Sequence, residues 1–111
     1  MDTLDMYRQV IEQVLTEYAC VPYAYGEIQT ETVFNRADDH YLLLNVGWHG
    51  DRRIHGAIVH IDIIDDKVWI QYDGTEAGVA NDLVRAGIPK DRIVLGFHQP
   101  EMRQYTEFAV A

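Results

Sequence analysis

His60 and Asp62 stand two apart in the segment IVHIDII. In an extended strand, residues two apart point to the same face, so an imidazole and a carboxylate would meet there. Such a pair suits general acid–base work, because imidazole changes charge near neutral pH. It also suits a metal ion, which would want a third inward-facing ligand. Asn45, Trp69 and Gln71 border the pair if the neighbouring strands are joined by tight turns. His49 and His55 alternate to the opposite face in that register, so no third ligand is evident and no metal or cofactor is called for. The chain has no serine, which excludes a serine nucleophile, and no glycine-rich phosphate loop. Without a fuller constellation, an ordinary polar pair on a surface or contact face is the preferred reading. A small enzyme or ligand-binding domain using the His60/Asp62 face is the alternative.

The elements that must position these residues can be read from periodicity. Leu4, Tyr7, Ile11, Val14, Leu15 and Tyr18 recur at helical spacing with Val10 beside them, and Pro22 closes the segment. This predicts a helix from about Thr3 to Ala19, capped by Asp2 or Thr3. Residues 20–26, CVPYAYG, form a connector, with Cys20 expected to be buried and inert. Glu27 to Phe34 alternates and is rich in β-branched residues, as a strand would be.

From His40 to Tyr72 the chain reads as three further antiparallel strands, turning at Gly50-Asp51 and at Asp65-Asp66. Two-residue loops at those points set residue 49 against 52 and residue 64 against 67. Carried along the strands without a bulge, that pairing puts Leu42, Leu44, Val46, Trp48, His55, Ala57, Val59, Ile61, Ile63, Val68, Ile70 and Tyr72 on a core face. The second face then receives Tyr41, Leu43, Asn45, Ile54, Ile58, His60, Asp62, Trp69 and Gln71. It mixes aromatic, aliphatic and polar groups as protein interfaces do, so another chain or the chain's own C-terminal segment would cover it. An apolar second face would also permit a symmetric homodimer. Thr75 can cap a helix that ends at Gly87, and Ile93 to Phe97 is a short buried extended segment. The fold class is α+β: a mainly antiparallel four- to five-stranded sheet with an N-terminal helix and a later helix packed on one face, in a single domain over residues 1–111.

Composition narrows the function. Eighteen acidic residues against nine basic ones give a net charge of −9. Such a surface repels a phosphate backbone, and Arg52–Arg53 is the only adjacent basic pair, so direct nucleic-acid binding is not expected except through that turn. The charge either keeps the protein soluble or complements a basic partner. No apolar run approaches the length of a membrane span. The start, MDTLDMYRQ, lacks the pattern of a signal peptide, so the expected compartment is the cytoplasm.

Several segments occur together and in order: Asp39-His40-Tyr41, Asn45-Val46-Gly47-Trp48, Arg52-Arg53-Ile54, His60-Ile61-Asp62-Ile63, Val68-Trp69-Ile70-Gln71, Gly87-Ile88-Pro89, Ile93 to His98, and the ending Tyr105 to Val110. With Tyr7-Arg8 and Tyr25-Gly26, they resemble the XisI-like family over essentially the whole chain. Its founding type is the fdxN element excision controlling factor of heterocyst-forming cyanobacteria. The resemblance implies a non-enzymatic accessory role in DNA recombination and genome rearrangement. The family acts with a second factor, XisH, whose relatives resemble nuclease-fold proteins, and through it on a site-specific recombinase. It implies no catalytic residues. On this reading Tyr41, Asn45, Ile58, His60, Asp62, Trp69 and Gln71 form the candidate interaction face, with Arg52 and Arg53 as a candidate turn contact.

Overall fold

A computed structural model describes residues 2–21 and 27–111; of the connector expected over 20–26, residues 22–26 lie outside the described residues. Helix α1 spans Thr3–Ala19, as its apolar spacing predicts, and the Asp2 carboxylate accepts from the Asp5 amide at 2.8 Å to cap it. Four strands follow: β1 (Glu27–Asn35), β2 (His40–His49), β3 (Arg52–Ile64) and β4 (Lys67–Asp73). Helix α2 (Val79–Arg85) then leads through a short 3₁₀ turn to β5 (Ile93–Leu95). The sheet order is β1-β2-β3-β4-β5, with antiparallel pairing up to β4 and parallel pairing between β4 and β5. The parallel pair is possible because α2 carries the chain back across the sheet.

The turns fall where the sequence places them. His49 pairs with Arg52, and Ile64 with Lys67. Asp65 and Asp66 have φ of 50° and 67°, the left-handed pair that a two-residue hairpin requires and that aspartate tolerates. Between the turns, however, the ladders carry two bulges. Leu44 pairs with Ala57 but Leu43 pairs with Val59, so Ile58 is an extra residue in β3. Ile61 pairs with Ile70 but His60 pairs with Tyr72, so Gln71 is an extra residue in β4.

The first bulge corrects the expected core face. A one-residue insertion brings the other parity of β3 against β2. Tyr41 and Leu43, not Leu42 and Leu44, therefore join Val59, Ile61, Val68 and Ile70 in the core, where all six are essentially inaccessible to solvent. Both helices cover this face: Ile11 and Leu15 of α1 and Val79 and Leu83 of α2 are equally buried in the same cluster. Leu42 and Leu44 are only half-buried, and Trp48, expected in the core, is exposed.

Helix α2 starts later than the Thr75 cap predicts. Asp73 takes that role from the end of β4, accepting from the Thr75 amide at 2.9 Å and the Val79 amide at 2.8 Å. Its C-terminus matches expectation: Gly87 has φ 118° and the Ile88 amide reaches back to the Leu83 carbonyl. The C-terminal segment docks at the sheet edge, where Ala109 bridges Val94 in parallel and Phe108 packs on the core. Cys20, expected to be buried, is exposed at the end of α1.

Candidate functional site

The strands that build the core on one side present a compact polar cluster on the other. His40 stands opposite Asp62 across the β2–β3 ladder, and Leu42 opposite His60. His40 Nδ1 lies 2.7 Å and His60 Nε2 lies 2.9 Å from the same carboxylate oxygen, Asp62 Oδ1. A carboxylate oxygen only accepts, so both ring nitrogens donate. The second oxygen, Oδ2, accepts from Gln71 Nε2 at 3.3 Å. Gln71 reaches it from β4, where it is the extra residue of the ladder. The two imidazole rings meet edge-on with centroids 6.4 Å apart.

Asp62 is 7% exposed, the one charged side chain buried among the described residues, while the two imidazoles are open to solvent on one side. Burial pushes the Asp62 carboxyl up, but hydrogen bonds from His40 and His60, the nearby imidazole charge and Gln71 together outweigh it and hold it below the ordinary carboxylate range. In return, the hydrogen bond to Asp62 and the charge on it raise the His40 imidazole. The result is an ionised carboxylate fixed on a rigid sheet, with two imidazoles directed at one of its oxygens. One donor atom from each of the three residues can be chosen so that all lie within 4.8 Å of one another.

Placement of the expected face residues is therefore mixed. His60, Asp62, Trp69 and Gln71 do share the second face. Tyr41 does not: it is fully buried on the helix side, its hydroxyl donating to Asp39 at 2.9 Å. Asp39 is in turn held by Arg8 of α1 at 2.8 Å. Ile58 packs partly against the core, and Asn45 lies on the same helix side, its amide oxygen 3.1 Å from Thr30 Oγ1. The unforeseen bulge accounts for these departures and for the missed third member, His40. The signal that could have revealed both is Gly56, a glycine inside a long strand, where bulges concentrate.

Of the two covers expected for the second face, the chain's own C-terminal segment is present over part of it. At the β4 end the chain covers itself: the Gly96 amide donates to the Ile70 carbonyl at 2.8 Å, and the Arg103 guanidinium stacks 5.1 Å from the Trp69 ring centroid. Toward the β2–β3 turn the face is open, with Trp48 47% and Tyr72 52% exposed. Arg53 stacks on Trp48 at 5.2 Å, so one of the two turn arginines is engaged within the hairpin.

A family model, XisI protein, matches residues 1–110. The chain belongs to the XisI family. Its fold agrees with a crystal structure of a XisI-like protein from Anabaena variabilis determined at 1.30 Å, with 36% identity and a TM-score of 0.90, covering 98% of this chain and 100% of that one. It agrees also with the fdxN element excision controlling factor XisI of Anabaena variabilis, with 33% identity and a TM-score of 0.83, covering 99% of this chain and 100% of that one. No curated protein matches. The five-stranded, mainly antiparallel sheet with an N-terminal and a later helix is thus an XisI-like fold, and its bulged register is what assembles the His40–Asp62–His60 cluster. Among the described residues, no helix is long and apolar enough to cross a membrane.

Proposed function

We propose that this XisI-family chain is a non-enzymatic regulatory factor that controls site-specific excision by binding a protein partner rather than DNA. The observation that carries the reading is the end-to-end match to a protein described as the fdxN element excision controlling factor. Charge supports the indirect route. A net charge of −9 opposes a DNA backbone, and Arg53 of the only adjacent basic pair is stacked on Trp48. The partner proposed is an XisH-like, nuclease-fold protein, through which the chain would influence a site-specific recombinase. An acidic protein suits a partner with a basic DNA-binding surface, because complementary charge speeds and orients docking. The open part of the second sheet face, bordered by Trp48 and Tyr72, offers exposed aromatic area of the kind that anchors interfaces.

The test combines the purified chain with the XisH-like protein of the same genome. A stable complex that loses affinity on Trp48→Ala or Tyr72→Ala, with unchanged folding, is the expected result. Absence of any complex, together with tight salt-dependent binding of the chain alone to duplex DNA, would overturn the reading.

A further inference from the structure

We propose that His40, His60 and Asp62 form a binding site for one divalent transition-metal ion of the zinc class. The donor set is two imidazole nitrogens and one carboxylate oxygen. That set suits zinc and its neighbours, whereas magnesium and calcium prefer all-oxygen shells. Three protein ligands leave a coordination position for water or an incoming group.

The geometry goes beyond three polar residues sharing a surface. All three ligands stand on the interior strands β2 and β3, each of which pairs with a strand on both sides. His60 and Asp62 follow one another on the same face of β3, and His40 faces Asp62 from β2. The separations of 2.7 Å and 2.9 Å between the nitrogens and Oδ1 are shorter than the roughly 3.3 Å between ligand atoms of a tetrahedral zinc with bonds of about 2.0–2.1 Å. An ion would therefore replace the two N–H···O contacts after the ligand atoms spread by about half an ångström, and each neutral imidazole would move its proton to its other ring nitrogen.

Behind the ligands, Gln71 donates to Asp62 Oδ2 and so orients Oδ1 toward the imidazoles, as outer-shell partners of metal sites do. Gln71 lies close beside the C-terminal segment, where a Cβ added at Gly96 would come within 2.9 Å of its Oε1. The front of the site stays accessible, since the His40 and His60 side chains are 54% and 36% exposed while Asp62 is buried. A buried, ionised carboxylate beneath two solvent-open imidazoles gives an entry path on one side and a fixed negative anchor on the other.

The experiment uses the full chain without an affinity tag, titrated with Zn²⁺ by calorimetry and followed by NMR of the histidine ring protons. The expected result is one ion per chain, with the resonances of His40 and His60 shifting and those of His55 and His98 unmoved. His40→Gln alters an exposed side chain and leaves the fold intact; it should weaken binding at least about tenfold, as should Asp62→Asn. Gln71→Ala, a positioning change, should weaken it by about 10–100-fold, and His55→Gln should leave it unchanged. No saturable binding of one ion per chain, or binding that His40→Gln leaves unaltered, would overturn the site. If Asp62→Asn fails to fold, the His40→Gln and NMR results decide the matter.

Discussion

Replacing Leu43 or Leu44 by alanine distinguishes the bulged register from a regular one. The two residues are adjacent in β2 and chemically identical, yet they lie on opposite faces. Leu43 is 1% exposed beneath the helices and pairs with Val59, whereas Leu44 is half-buried on the second face and pairs with Ala57. Leucine to alanine removes three carbons, worth about 2.4 kcal/mol at ~0.8 kcal/mol per buried CH₂, before any cavity remaining in the core is counted. Fully buried leucines lose about 2–5 kcal/mol on this change, so about 3 kcal/mol is expected for Leu43→Ala. Leu44→Ala gives up only part of the transfer free energy and leaves no enclosed cavity, so about 1 kcal/mol is expected. Urea unfolding separates them: with a slope of roughly 1–3 kcal/mol per M, Leu43→Ala lowers the midpoint by about 1–3 M, and Leu44→Ala by about a third as much. The slopes should stay equal, so that the midpoints report stability alone. Equal losses, or a larger loss for Leu44→Ala, would refute the placement of Ile58 as the extra residue and with it the approach of His40 to Asp62.

Gly96→Ala puts a Cβ 3.1 Å from the Ile70 carbonyl oxygen and 3.2 Å from the Trp69 ring, so it should destabilise by about 1–3 kcal/mol and alter tryptophan fluorescence, read by chemical denaturation and emission spectra. Asp73→Ala removes the acceptor for the Val79 and Thr75 amides and should cost about 1–2 kcal/mol, with lost helicity at α2 seen by amide exchange. Burial, then the hydrogen bond to Asp82, pushes Tyr18 up to about 12, and burial with the bond to Asp39 pushes Tyr41 further in the same direction. The fold keeps protons that the unfolded chain releases near pH 10, so stability should hold below pH 10 and fall as pH rises through about 12; ultraviolet titration should show a late phase that Tyr18→Phe and Tyr41→Phe diminish, and ordinary ionisation of both phenols in the folded chain would contradict this.

Much of this architecture is legible in the sequence because its local signals agree with one another. The stripe from Leu4 to Tyr18 and the stop at Pro22 delimit α1, the Asp65-Asp66 pair specifies its hairpin, and Gly87 ends α2. Pairing at the turns is equally legible, since short loops fix the first pairs. What periodicity does not carry is an extra residue in mid-strand. Both faces of β2 and β3 are rich in aliphatic side chains, so the pattern reads nearly as well with Leu42 and Leu44 inside as with Tyr41 and Leu43 inside. The bulge at Ile58 decides between them through tertiary packing under α1 and α2. The same slip explains why His60 and Asp62 are recognisable from their spacing while His40, twenty-two positions from Asp62, is not. Arg103 over Trp69 is likewise invisible to local pattern, because it depends on where the C-terminal segment crosses the sheet.

The role proposed for this XisI-family chain requires a protein partner. That requirement is tested most directly by light scattering on a mixture of the purified chain with the XisH-like protein of the same genome, at physiological salt. The predicted result is a single species whose mass is the sum of defined numbers of both chains. Two species that keep their separate masses at micromolar concentration would contradict it.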